Sequence, residues 1–396
     1  MRSVEEALAE LLAQARPVVE TETTPVEAAL GRILSAPLVS TVSVPPCDNS
    51  AMDGYALRCA DFSSDAWLPV SQRIPAGAMG VSLAKGSVAR IFTGAPIPAG
   101  ADAVVMQEDT ELDAEGRVRF KQPPKLGAHI RHTGEDIQPG QVILAAGQRL
   151  GAAHLGVAAS AGATQLTVKR HLKVAVFFTG DELVMPGQPL PPGRIYNSNR
   201  AALLGLLHGL GCEVIDLGQV ADNAAATREA LSQAAVQADV IMTTGGVSVG
   251  EEDHVKAAVE ALGQLSMWKV AMKPGKPLAF GRVGEADFIG LPGNPVSAFV
   301  VFCLFARPFL LNRMGALAST PTAFLAPANF TRTKAGERRE FLRARIEQGQ
   351  ATIFTNQSSG VLTSLAWAEG LVDLPAGQIV SPGAPVRFIP LSELLA

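Results

Sequence analysis

Charge is scarce in this chain: only 18% of its 396 residues are Asp, Glu, Lys or Arg, against about 25% in average globular domains. Apolar residues reach 47%, which excludes disorder as the main state and supplies several cores. A basic excess is missing as well. The net charge is −4, which argues against a chain whose main work is neutralising nucleic-acid phosphates. Cysteine is sparse. Cys47, Cys59, Cys212 and Cys303 are scattered with no CxxC pair, which argues against a disulfide framework and a zinc site and fits a reducing cytoplasm. The histidines share no metal-ligand spacing. Long apolar runs are absent too. The longest, Val296 to Ala306, falls short of the roughly 20 residues of a membrane-spanning helix. The opening Met1-Arg2-Ser3-Val4-Glu5-Glu6 has neither a basic nor an apolar leader segment, so no secretory signal is expected. What is abundant is turn material, 38 glycines and 27 prolines without collagen-like period. The length suggests more than one domain.

Val4, Leu8, Leu11 and Leu12 fall at helical spacing, and Arg16-Pro17 ends that helix. A second short helix is predicted from Thr24-Pro25, ending at Gly31. From Val42 to about Gly147 short β-rich runs, such as 88–93 and 103–106, alternate with Gly/Pro turns. Residues 171–316 alternate strand and helix patterns. Lys173 to Phe178 reads as a buried strand. A helix capped by Ser198 or Asn199 follows, carrying Leu203, Leu204, Leu207 and Leu210 and stopped by Gly211. Strands are predicted at 212–217, 239–244, 265–272 and 287–289, and helices at 224–237, 251–262 and 295–314. This alternation means a parallel sheet covered on both faces, with ligands beyond the carboxyl ends of its strands. The last 75 or so residues read as a small β-barrel or sandwich.

Chemistry concentrates at those carboxyl ends. Thr179-Gly180-Asp181-Glu182 follows the first buried strand. Its carboxylates suit a hard cation such as Mg²⁺, or simply a solvated capped turn. Thr243-Thr244-Gly245-Gly246-Val247-Ser248-Val249-Gly250 precedes a helix and admits close approach of a phosphate or nucleotide. It lacks the Gly-Lys-Ser/Thr ending of a P-loop. It formally matches a GxSxG nucleophile elbow, but the only later histidine is His254, too near in sequence to serve as the distal base. Asp253 either complements the helix dipole or reaches the ligand of the Gly-rich turn. Lys269 and Lys273 share a face if their strand continues, and suit an oxyanion. Leu291-Pro292-Gly293-Asn294-Pro295 forms a stiff turn, in which Asn294 is also a plausible cap. Arg338, Arg339, Arg343 and Arg345 read as the polar face of a strand sooner than as a nucleic-acid patch.

Seven segments in order resemble the molybdopterin molybdenumtransferase family (MoeA and the gephyrin E domain). They are Asp48-Asn49-Ser50-Ala51-Met52-Asp53-Gly54-Tyr55-Ala56, Thr93-Gly94-Ala95-Pro96, Gly134-Glu135-Asp136, Thr179-Gly180-Asp181-Glu182, Gly245-Gly246-Val247-Ser248-Val249-Gly250, Lys273-Pro274-Gly275-Lys276-Pro277 and Leu291-Pro292-Gly293-Asn294-Pro295. Each is modest alone; the ordered set is specific. The resemblance implies a multidomain α/β plus β fold. A central doubly wound α/β domain of molybdopterin-binding type would occupy 171–318. A β-rich inserted domain would occupy 44–140 and a C-terminal small β-barrel 319–396. Residues 1–43 and 141–170 would form a discontinuous N-terminal helical domain.

The implied reaction converts adenylylated molybdopterin and molybdate to molybdenum cofactor and AMP with Mg²⁺, in a cytoplasmic, elongated homodimer. Other molybdenum cofactor biosynthesis proteins are possible partners; nucleic acid and membrane are not expected. Carried over by motif, Asp53, Thr93, Asp136, Glu182, Asp253, Lys269 and Lys273 are implied catalytic residues. Asp222, Gly245, Gly246, Ser248, Pro292, Pro295, Arg343 and Ser364 are implied substrate contacts, and Glu182, Asp222 and Asp253 the Mg²⁺ ligands. His254 stands where the family commonly carries an aromatic residue. Three other readings remain open here: adenylylation of the bare pterin with ATP, a tungstate-preferring paralogue, and a non-enzymatic scaffold.

Overall fold

Alternate residues of the Lys173–Phe178 strand bury into two different cores. Val174, Val176 and Phe178 pack with Leu203, Leu207, Leu210 and Phe302 on one side. Ala175 and Phe177 pack with Leu231, Ala234, Val255 and Val259 on the other. A strand apolar on both faces demands a helical layer on each, since its side chains alternate. A computed structural model describes residues 1–246, 254–317 and 320–395. Its central sheet has six strands: β1 (Lys173–Phe178), β2 (Glu213–Gln219), β3 (Val240–Thr244), β4 (Gly263–Lys269), β5 (Pro277–Val283) and β6 (Ala286–Leu291). Their spatial order is β2-β1-β3-β6-β5-β4. The first four are mutually parallel; β5 runs antiparallel to them, and β4, antiparallel to β5, runs in their direction again. The chain steps from β1 out to β2 and returns across β1 to β3. That reversal creates a topological switch point between β1 and β3, where doubly wound sheets bind ligands.

Helix Ser198–Leu210 is capped by Asn197, whose side chain accepts from the Arg200 amide at 3.0 Å; Ser198 and Asn199 fall inside the helix. It ends at Gly211 with φ of 83°, as predicted. Helix Ala224–Gln237 has the predicted bounds. Helix His254–Leu262 follows, and the first three residues predicted for it lie outside the described residues. The 295–314 prediction holds as one helical stretch with a π turn at Phe302–Ala306. Pro308 lacks an N–H and its ring crowds the carbonyl of Leu304, and a widened turn before it relieves both problems. Pro295–Arg313 is long and apolar enough to cross a membrane, with mean hydropathy 1.6. It is 72% buried inside the chain's own core, which accounts for that composition.

Two further sequence expectations are corrected, and one strand is added. The short helix from Thr24 is a strand, Thr21–Pro25, paired antiparallel with Gln165–Lys169; only Val26–Ala28 makes a single 3₁₀ turn. Its partner lies more than a hundred residues away, and cross-strand pairing overrides the local Thr-Pro signal. The single strand expected at 265–272 is broken. β4 stops at Lys269, and Met272–Lys273 starts a separate short strand that pairs in parallel with Arg339–Glu340. Strand β5, unforeseen, forms a hairpin with β6.

The β-rich region holds a four-stranded sheet in the order Val70–Ile74, Val88–Ile91, Gly54–Leu57, Ala103–Met106. The chain enters and leaves this region through short antiparallel pairings, Leu38–Val39 with Val142–Leu144 and Asn49–Ser50 with Ile130–Arg131. In the C-terminal region, strands Gln350–Ile353, Arg339–Glu347, Gly370–Leu374, Pro385–Pro390 and Phe324–Pro327 follow one another in the sheet. A bridge between Ala328 and Ala351 joins its two ends.

Candidate active site

A cleft of about 1040 Å³ opens at the carboxyl edge of the central sheet. Three of its walls follow the ends of central strands. β1 is followed by Glu182, β3 by Gly245-Gly246, and β6 by Pro292-Gly293-Asn294-Pro295. Residues 195–199 form a further wall, and Lys273-Pro274-Gly275-Lys276-Pro277 another. The C-terminal region closes the far side with Arg338 and residues 357–360.

The Gly-rich turn is built for close approach. Gly245 and Gly246 have φ of 87° and 62°, a left-handed conformation that side chains disfavour. A Cβ at Gly246 would stand 2.5 Å from Val255 Cγ2. Gly246→Ala is therefore expected to destabilise the fold by about 1–3 kcal/mol and to distort the cleft floor; thermal unfolding of the variant checks this, and an unchanged midpoint would refute it. Asn199 locks the neighbouring walls together. Its Nδ2 donates to the Gly293 carbonyl at 2.7 Å and to Thr244 Oγ1 at 3.3 Å. The Val296 amide donates to the Ser359 carbonyl at 3.0 Å, tying the C-terminal wall to the start of the long helix.

The cleft is cationic. Lys273, Lys276 and Arg338 line it, and among the described residues Glu182 is its one lining carboxylate. Lys273 Nζ lies 3.9 Å from Glu340 Oε1, while Arg332 takes the other oxygen of Glu340 at 2.7 Å. The Lys273 ammonium, about half exposed, stays available to an anion. Excess positive charge over a glycine turn favours a phosphate or oxyanion.

Asp222 follows β2 on a turn beside the Glu182 loop. Gln219, three residues earlier, donates to the carbonyls of Gly180 at 3.4 Å and Leu183 at 3.1 Å. Among the described residues no group of three or more His, Cys, Asp or Glu gathers to cage a metal. The donors present fit a cation held by one or two carboxylates and otherwise by substrate phosphates, the usual manner of Mg²⁺. Ser248 and Asp253 lie outside the described residues.

Other predicted residues stand apart from the lining. Lys269 ends β4, exposed, with its carbonyl accepting from the Arg2 amide at 3.0 Å. The break at Val270-Ala271 removes the row it was expected to share with Lys273. Arg343 is 1% exposed. It donates from Nε to Ser364 Oγ at 3.1 Å and from a terminal nitrogen to the Ser358 carbonyl at 3.2 Å, and its backbone exchanges hydrogen bonds with the Gln357 side chain. Burial pushes its guanidinium down to about 10. Arg343 and Ser364 thus sit behind the cleft and hold its wall. The polar-face reading of the arginine run fails at this residue and holds for Arg345, which pairs with Glu347.

Asp53, Thr93 and Asp136 occupy the β-rich region. Asp53 Oδ1 accepts from the Thr93 amide at 2.8 Å and its hydroxyl at 2.7 Å, and these bonds hold its carboxyl below the usual range. Asp136 is exposed, its amide donating to the Val44 carbonyl at 3.0 Å. Among the described residues none from 44–140 lines the cleft. The sequence reading missed Tyr196, Asn197, Asn199, Ser297 and the 357–360 wall as site residues. Only the polar runs Tyr196-Asn197-Ser198-Asn199 and Gln357-Ser358-Ser359-Gly360 hinted at them.

Three family profiles match in order along the chain. The MoeA N-terminal region (domain I and II) matches residues 2–162, a probable molybdopterin binding domain 175–312, and the MoeA C-terminal region (domain IV) 326–391. The chain is 42% identical over 403 aligned residues to a molybdopterin molybdenumtransferase of Haemophilus influenzae, with 100% of both chains covered. It is 38% identical over 392 residues to molybdopterin molybdenumtransferase 2 of Mycobacterium tuberculosis, covering 95% of this chain and 96% of the relative. A solved structure of a molybdopterin biosynthesis MoeA protein from Pyrococcus horikoshii superposes with a TM-score of 0.84 at 28% identity, covering 98% of this chain and 100% of that one. With relatives of this identity aligned almost from end to end, and a cleft at the switch point of the matching central domain, the chain belongs to the MoeA family of molybdopterin molybdenumtransferases.

Proposed function

We propose that this chain is a transferase that moves molybdenum from molybdate to adenylylated molybdopterin and releases AMP, the last step of molybdenum cofactor biosynthesis. The observation that carries the reading is the cleft itself. Lys273, Lys276 and Arg338 face a two-glycine turn and, among the described residues, one lining carboxylate, a combination suited to an oxyanion, a phosphate chain and one divalent cation together. Lys273 and Lys276 would hold molybdate beside the dithiolene, and Gly245-Gly246 would receive the phosphates. Glu182 and Asp222 are the described carboxylates that would hold Mg²⁺, with Asp253 as the third ligand. Mg²⁺, when bound, neutralises charge on the phosphate oxygens. No side chain need act as nucleophile: a water oxygen adds to the phosphorus of the AMP moiety as its bridging bond to the molybdopterin phosphate breaks, and molybdate gives up one oxo group as water, with the two thiol protons, as the two pterin sulfurs bind molybdenum.

Asp53 and Thr93 lie in a region that contributes nothing to the described lining of the cleft. We therefore read the working unit as a homodimer in which this region completes the cleft of the other subunit. The cysteines are free, in keeping with a cytoplasmic enzyme. Adenylylated molybdopterin, molybdate and Mg²⁺ supplied to the purified chain should give AMP in proportion to cofactor formed. AMP release without a need for molybdate, or ATP consumption with bare molybdopterin instead, would reject this reading. Tungstate in parallel reports which oxyanion is preferred.

A further inference from the structure

Asp53 is exposed and near the end of a short strand, a poor place for a carboxylate that must hold one direction. The contacts around it converge on a single side chain. Arg90 lies in the Val88–Ile91 strand, opposite Tyr55 in the register. One terminal nitrogen of its guanidinium donates to the Gly54 carbonyl at 2.9 Å, immediately after Asp53. The other donates to Gln107 Oε1 at 2.5 Å. The Gln107 amide in turn donates to the carbonyl of Asp53 at 3.1 Å. The face of the guanidinium stacks 4.6 Å from the Phe92 ring centroid and 5.2 Å from that of Tyr55. Phe92 directly precedes Thr93, which donates twice to the Asp53 carboxylate. Arg73, opposite Arg90 on the neighbouring strand, stacks on Phe92 as well, at 4.6 Å.

The guanidinium thus holds the carbonyl of Gly54, next to Asp53, and packs on the ring of Phe92, next to Thr93. A planar fork satisfies two acceptors and two rings at once, which an ammonium cannot do. Gly54 leaves no slack in this arrangement, since a Cβ there would fall 2.0 Å from the Val105 carbonyl oxygen.

We propose that Arg90 is a positioning residue of the transfer reaction, fixing the direction in which Asp53 and Thr93 point into the composite cleft. The proposal rests on the reading of Asp53 as a functional group. The Thr93 bonds, with a smaller contribution from the Arg90 charge, hold the Asp53 carboxyl below the usual range.

The test is a double-mutant cycle on the full-length protein, read as single-turnover AMP release at excess enzyme. Arg90→Gln is expected to lower the rate roughly 10- to 100-fold, the cost of a misdirected catalytic group, with half-saturation by molybdate changed less than twofold. In the Asp53→Ala background the same substitution should cost less than a further factor of two, because the carboxylate that Arg90 aims, and through which Thr93 is held, is gone. A wild-type rate for Arg90→Gln beside a strongly slowed Asp53→Ala overturns the proposal. So does a full further loss in the Asp53→Ala background, the signature of general damage to the region, which thermal unfolding would show directly. Full activity of Asp53→Ala itself overturns the reading of Asp53 instead, and so separates the two failures.

Discussion

Mixing subunits that carry Asp53→Ala with subunits that carry Glu182→Ala is expected to restore roughly a quarter of the wild-type activity from two nearly inactive parents. Glu182 lines the cleft, whereas Asp53 belongs to a region absent from its described lining. If two-fold symmetry brings one subunit's β-rich region to the other's cleft, a mixed dimer has one cleft missing both carboxylates and one with both intact. Random reassembly makes about half the dimers mixed, and half of their clefts work. If instead both residues serve a cleft within one chain, every cleft is damaged and no activity returns. That null result, with native-gel proof that mixed dimers formed, would reject the shared site. Both side chains are exposed on turn-like segments, so their loss opens no core cavity and each parent should unfold normally.

Lys273→Ala should raise the half-saturating molybdate concentration by roughly tenfold or more, the worth of a lost hydrogen bond to a charged group. The rest of the chain should barely notice. Glu340 keeps Arg332 at 2.7 Å, and the 3.9 Å contact given up is half exposed, a pair of the kind that contributes little to stability. The Mg²⁺ dependence should move much less than the molybdate dependence. Activity titrated against each in turn checks this, and an unchanged half-saturation with an unchanged maximal rate would remove Lys273 from the anion site. Lys269→Ala is the natural companion, because its side chain lies outside the described lining.

Those two lysines show where reading the sequence stops. Four residues apart, they look like one row on one strand. The chain turns at Val270-Ala271 because the Arg2 backbone pairs there, with an amide to the Lys269 carbonyl and a carbonyl to the Ala271 amide. The short strand at Met272–Lys273 exists because Arg339–Glu340 lies beside it. Neither partner is near in sequence, so no local pattern could announce the break. Thr21–Pro25 fails for the same reason, its partner being Gln165–Lys169. Arg343 differs in kind. Its four-arginine neighbourhood suggested a solvated face, and only the packing of the C-terminal sheet puts its guanidinium behind the cleft wall.

By itself the sequence determined what depends on neighbours a few residues apart. The buried run Lys173–Phe178, the Ala224–Gln237 helix and the Gly211 stop follow from side-chain period and one glycine's freedom. The order of βα units, and with it the edge where ligands bind, follows from the same local patterns. Only the tertiary structure decided which loops meet at that edge. It brought residues 357–360 and Arg338 against the Gly245-Gly246 turn and set Lys273 apart from Lys269. It also left Asp53 on a region that lines no part of the described cleft. Those choices depend on strand registers and packed faces formed between residues far apart in the chain, and the contacts that select among them exist only once the chain has closed on itself.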